Sequence, residues 1–241
     1  MREWFLNLEG EPFTWFGTSH IAMLFIYVIG LIILLLTYKK IKANRSLYNS
    51  TRWTLFGLLV LSEASYHIWA SINGIWTAEY YIPLHLCSMA GITATIALVT
   101  HNKKLIIFTF FIGLIPAVMA LLTPELHYEF PHFRFLMFFI QHMVISWVSI
   151  FLVITRSVAI TFKSTMEAYG YLLLYAAITG LIINPVLNSN YLFLSHTPTA
   201  STPLDFLGSG IWYYINLCLL ALAMFIALFG LYKLICKIRK C

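Results

Sequence analysis

The stretch "THNKK", residues 100–104, decides the fold. It separates two apolar runs, 82–99 and 105–122, that would otherwise read as one. A helix rises about 1.5 Å per residue, so about 20 mostly apolar residues cross the roughly 30 Å of bilayer hydrocarbon. Two such runs joined by a short basic link form an antiparallel hairpin of membrane helices. Working outward, the same criterion marks roughly 18–38 and 52–73 before the hairpin, and 135–155, 167–187 and 211–232 after it. The expectation is an all-α polytopic membrane protein: a seven-transmembrane-helix bundle, one domain over residues 1–241, with no internal repeat.

Composition and charge agree. Of 241 residues, 61% are hydrophobic and 10% charged, against about a quarter charged in soluble domains. The mean hydropathy is +0.84. Lys39, Lys40, Lys42, Arg45, Arg52, Lys103, Lys104, Arg156, Lys163, Lys233, Lys237, Arg239 and Lys240 fall on one side of a seven-span arrangement; only Arg2 and Arg134 fall on the other. By the positive-inside rule the N-terminus is outside and the C-terminus cytoplasmic. A six-span arrangement would put one basic end on the wrong side. The net charge of +6 is thus spent on orientation, and no nucleic-acid partner is expected. Glu3, Glu9 and Glu11 precede the first apolar run, and no small-residue cleavage site follows it, so no cleavable signal peptide is expected. Cys87, Cys218, Cys236 and Cys241 contain no C-x-x-C pair, which excludes zinc-ribbon and thioredoxin signatures.

Polar residues inside spans are costly and need a partner or a role. Glu63 is the only acidic residue deep within a span, and His67 lies one turn along the same face. The pair reads either as a satisfied interhelical contact or as an orienting carboxylate–histidine pair. His142 shares a face with Ser146 and Ser149. Asn184 and Asn188 share another, where packing is the simpler reading. In "IPLHLCSM", residues 82–89, Pro83 suits the first turn of the third span. On a helix His85 and Cys87 diverge by about 200°, so they are not partners. Cys87 lies with Gly91 and Ala94 on a small-residue strip. It is either a packing residue or a thiolate nucleophile whose base, His142 or His67, comes from another helix. In the outer loop, 123–135, His127 and His132 flank Glu129 with Glu125 nearby. Their spacing matches no metal motif, and neither a metal nor a cofactor is expected. The second outer loop is 188–210. The last span has no lysine before Lys233, which excludes a retinal Schiff base.

Three segments in order carry a resemblance: "IPLHLCSM", "LLTPELHYEFPHFRFLMFFIQHMVI" (residues 121–145) and "NYLFLSHTPTASTPLDFLGSGIWYY" (residues 190–214). Together they resemble the YwaF family of bacterial integral membrane proteins, which looks related to the eukaryotic transmembrane protein 164 family of acyltransferases. One departure is "LGSGIWYY", where the bacterial pattern is L-G-P-W-P-W-Y. The resemblance implies a multi-pass protein of a bacterial plasma membrane that moves fatty acyl chains between phospholipids and lysophospholipids. It implies Cys87 as nucleophile and His142 as base. Glu63 and His67 would then orient a base, Asn184 or His85 would donate to the oxyanion, and Arg134 would hold a lipid phosphate, with His132 beside it. The alternative is a non-catalytic lipid or small-ligand binding or transport protein with an outer-facing polar pocket around Glu63. Oligomeric state is not legible.

Overall fold

The computed structural model describes residues 4–6, 12–197 and 203–239. Readings that involve Arg2, Glu3, Glu9, Glu11, Lys240, Cys241 or residues 198–202 lie outside them.

Among the described residues every regular element is helical. The α-helices are α1 (Thr18–Ala43), α2 (Arg45–Ile72), α3 (Ala78–Tyr81), α4 (Leu86–Thr100), α5 (Lys103–Leu122), α6 (Phe133–Arg156), α7 (Phe162–Ile178), α8 (Asn184–Leu187) and α9 (Ile211–Arg239). A π-helical turn, Thr179–Ile183, joins α7 to α8, so the two run on as one rod. Among the described residues six helices are long and apolar enough to cross a membrane: α1, α2, α5, α6, the α7–α8 rod and α9.

The third apolar run, expected as a span over 82–99, begins its helix later than expected. Its helix, α4, begins at Leu86 and has 15 residues, about 22 Å of rise. Side chains from elsewhere capture the backbone just before it. The Ile82 N–H donates to the Tyr191 hydroxyl at 3.0 Å, and the Tyr175 hydroxyl donates to the Leu84 carbonyl at 2.5 Å. Pro83 therefore lies in a bend ahead of the helix, where the Leu84 N–H returns to the Ile82 carbonyl at 2.7 Å, and not in the first helical turn. His85 is the N-cap, with β-region φ and ψ.

The turns follow from local chemistry. At "THNKK", His101 adopts a left-handed conformation (φ 53°) that closes α4, and its N–H returns to the Ala97 carbonyl. Asn102 then caps α5, its side chain accepting from the Lys104 and Leu105 N–H groups. Asn44 does the same between α1 and α2, accepting from the Leu47 N–H. The hairpin expected at 100–104 forms. Residues 44, 101–102 and 157–161 gather at a basic end. There Lys42 donates to Ser157, Tyr48 meets His101 at 2.9 Å, and Arg52 donates to the Leu98 carbonyl at 2.6 Å. The opposite end, rich in Trp, Tyr, Phe and His, holds residues 73–85, 123–132 and 188–197.

Helix α6 is the centre. Two-thirds of its most apolar window is buried (67%), against 11% for the α7–α8 rod and for α9. Helix α4, though short, is wholly enclosed at Ala90, Ala94, Ala97 and Leu98. Close approach to α6 explains two glycines. A β-carbon at Gly113 would fall 2.6 Å from Ser149 Oγ, and one at Gly30 would fall 2.3 Å from the Trp147 ring. The outer helices present Leu36, Leu181, Val186 and Leu219 outward. That is the pattern of a bundle solvated by hydrocarbon.

Candidate functional site in the aromatic end of the bundle

Three helices bring Glu63, Cys87 and α6 together. Glu63 projects from α2 toward α6, where its Oε2 accepts a hydrogen bond from Gln141 Nε2. His67, one turn along α2, places Nε2 3.4 Å from Glu63 Oε1. The Trp76 indole N–H donates to His67 Nδ1 at 3.2 Å. A nitrogen that accepts carries no proton, so the neutral ring is protonated on Nε2, the nitrogen facing the carboxylate. Even so, Glu63 Oε1 is buried and accepts no well-formed hydrogen bond. Cys87, half-buried in α4, packs against the main core cluster and lies within electrostatic reach of Glu63.

Arg134 opens α6 on the same side. Its guanidinium carbon lies over the Tyr66 ring, 3.8 Å from the ring centre, and 5.7 Å from that of Trp69. Among the described residues it has neither a hydrogen bond nor a carboxylate within ion-pair distance. Tyr66, Tyr81, Tyr128 and Glu63 all stand within its electrostatic reach. The Tyr66 and Tyr81 rings pack against each other, 5.3 Å apart. Burial, reinforced by Tyr66, pushes the Tyr81 phenol up to about 12, and burial also raises Tyr128. Both remain protonated donors at neutral pH. Beside this cluster an open apolar groove of about 460 Å³ is lined by Trp4, Phe5, Phe130, Pro131, Phe133 and Leu136. Phe133 links the two, stacking on Trp69 at 6.4 Å.

His142 lies on the adjacent flank of α6. Its Nδ1 is 2.7 Å from the Phe138 carbonyl, and its ring packs on Phe138 at 4.2 Å. A carbonyl only accepts, so Nδ1 carries the proton and Nε2 is the basic nitrogen. His142 is buried and within electrostatic reach of Arg134.

The other sequence candidates are engaged elsewhere. His85 packs against Tyr191 (5.1 Å) and Phe193 (5.6 Å), and burial lowers its pKa. Asn184 is a hub: its Oδ1 accepts from Ser189 Oγ (2.9 Å) and from the Tyr191 N–H (3.0 Å), while its Nδ2 donates to the Tyr191 carbonyl (3.0 Å). His132 caps α6 by accepting from the Arg134 N–H, donates to the Leu6 carbonyl at 3.0 Å, and stacks on Tyr128 at 4.0 Å. Its pKa is lowered, chiefly by burial. Glu129 accepts from Ser19 and from the Thr14 and Phe130 N–H groups. Burial opposes its ionisation, but these bonds outweigh it and hold its carboxyl below the ordinary range.

The sequence missed Gln141, Tyr66, Tyr81 and Trp76. One signal was present for the first: Gln141 is the sole glutamine of the chain and sits in an apolar helix next to His142. The tyrosines gave none, because interfacial tyrosines are common in membrane helices.

Fold and site define a polytopic all-helical membrane protein with a buried polar cluster at one end of its bundle. The chain belongs to the TMEM164 family, whose sequence profile matches residues 15–229. The narrower bacterial YwaF likeness stays a resemblance. No curated protein and no solved structure matches the chain.

Proposed function

We propose that this protein is a membrane-embedded acyltransferase that moves fatty acyl chains between phospholipids and lysophospholipids through a thioester on Cys87. One observation supports the reading: in an otherwise apolar bundle, Glu63 of α2 and Gln141 of α6 hydrogen-bond to each other beside α4, the helix that holds a half-buried core cysteine. In the first step His142 Nε2 takes the thiol proton and Cys87 Sγ bonds to the ester carbonyl carbon. The ester C–O bond breaks, and the departing glycerol oxygen takes the proton from His142. In the second step an acceptor hydroxyl gives its proton to His142 and attacks the thioester. The C–S bond breaks and the thiolate recovers the proton. Glu63 and His67 bias the local field. Arg134, with five donors and, among the described residues, no carboxylate within ion-pair distance, holds the lipid phosphate. Seven spans, with the aromatic end outside and the basic end in the cytoplasm of a bacterial cell, suit the charge distribution.

Purified protein supplied with acyl-labelled phospholipid and unlabelled lysophospholipid tests this. Wild type transfers label, and Cys87→Ala and His142→Ala lower the rate at least about 100-fold. Wild-type rates in both variants overturn the mechanism. The buried Glu63 Oε1, which accepts no well-formed hydrogen bond, favours a second reading: a non-catalytic site for a lipid or small ligand that supplies one. Saturable lipid binding that Glu63→Gln abolishes, with no transfer by wild type, establishes that reading instead.

A further inference from the structure

We propose that Gln141 is a catalytic residue of this site, its side-chain amide donating a hydrogen bond to the oxyanion that forms when Cys87 attacks the ester carbonyl. The inference rests on the acyl-transfer reading above and assigns the oxyanion donor within it.

Three pieces of geometry lead there. First, the amide is oriented. The Nε2 end of Gln141 faces Glu63 Oε2, to which it donates. That bond uses one of two N–H groups. Second, the amide reaches the α4 seam. A β-carbon at Gly91 would lie 4.0 Å from Gln141 Nε2 and 3.8 Å from Ile145 Cδ1. Gly91 is four residues on from Cys87, so the two share a face of α4 about 6 Å apart along its axis. The missing side chain at Gly91 leaves open the space between Gln141 and the cysteine's face. Third, the other polar groups considered for the task are engaged. Asn184 is spent on Ser189 and Tyr191, and His85 packs into the Tyr191–Phe193 wall.

The arrangement has the elements oxyanion stabilisation needs. The donor sits in a buried, low-dielectric place, where it is worth more than in water. A carboxylate holds it before substrate arrives. Glu63 is then a positioning residue: it aims the amide without touching the reacting atoms.

The test separates oxyanion stabilisation from folding and from cysteine reactivity. Acylation of Cys87 by a labelled short-chain phospholipid creates an oxyanion, whereas alkylation of the same thiol by a small haloacetamide does not. Both rates are measured on wild type and on Gln141→Leu, with Gln141→Met as a second variant of similar length should leucine fail to fold. The expected result is acylation slowed about 100-fold or more, with alkylation changed less than about 3-fold. Unchanged acylation, or an equal fall in both rates, overturns the proposal. If wild type acquires no acyl group on Cys87, the acyltransferase reading fails and this inference falls with it. If wild type is acylated and the variants keep pace, only the role of Gln141 fails.

Discussion

Two buried polar clusters sit at the aromatic end of the bundle and differ in how completely their hydrogen-bonding groups are used. Around Asn184 almost nothing is left over. Its amide meets Ser189 and both backbone groups of Tyr191, and the Tyr191 hydroxyl donates to the Ala78 carbonyl at 2.6 Å while accepting from the Ile82 N–H. Around Glu63 much is left over. Among the described residues, one carboxylate oxygen is buried with only the long His67 contact at 3.4 Å, Gln141 has one partner for its two amide hydrogens, and Arg134 rests on an aromatic ring with no carboxylate within ion-pair distance. A buried polar group without its partner is costly, more so in a medium without water. A cluster that satisfies itself is architecture. One that keeps donors and acceptors in reserve is built for something that arrives.

That contrast can be broken or sharpened by experiment. The largest effect is expected at Cys87, where alanine reduces acyl transfer to background, a loss of at least about 100-fold, while the protein still migrates as a folded species in detergent. Transfer that survives would place the reserve of polar groups in the service of binding alone. Next comes Arg134→Gln, expected to weaken use of phospholipids about 10-fold or more and to leave uncharged acyl esters much less affected, because the guanidinium's fork suits phosphate. Comparing KM for the two substrates checks it, and an equal change in both removes Arg134 from headgroup recognition.

On the self-satisfied side the readout is stability. Asn184→Ala strips three hydrogen bonds and leaves buried groups of Tyr191 and Ser189 unpaired, a loss of about 2–4 kcal/mol. Thermal unfolding in detergent measures it, and an unchanged midpoint contradicts the hub. Tyr191→Phe removes a smaller part, about 1–2 kcal/mol, by freeing the Ala78 carbonyl and the Ile82 N–H. The smallest effect concerns pH. Burial lowers the pKa of His85 below its unfolded value. Below the ordinary histidine value the unfolded chain then binds a proton that the folded one refuses. Stability is full above that value and declines as pH falls through and beneath it. His85→Gln should flatten that decline, and a profile identical to wild type would show that other groups cause it.

Much of the bundle was legible in the sequence. Apolar length alone marks the long helices, since nothing else satisfies a backbone in hydrocarbon, and "THNKK" carries its own caps. One boundary is instructive. Hydropathy opens the third run at 82, but α4 begins at Leu86, because the backbone of Ile82 and Leu84 is claimed by Tyr191 and Tyr175, more than 90 residues away in sequence. No local pattern reveals such a competitor.

For the site, the sequence by itself determined which groups are out of place in a membrane: Glu63, His67, Cys87, His142 and Arg134 stand out because their cost in hydrocarbon is a property of each residue alone. Only the tertiary structure decided how they are used. It set Gln141 against Glu63 across 78 positions, laid Arg134 on Tyr66, and gave His85 and Asn184 to packing. The physical reason is that hydrogen bonds and ring contacts act within a few ångströms. Which partners come that close depends on how α2, α4 and α6 pack, and small residues such as Gly91 and Gly113 permit that packing without announcing it.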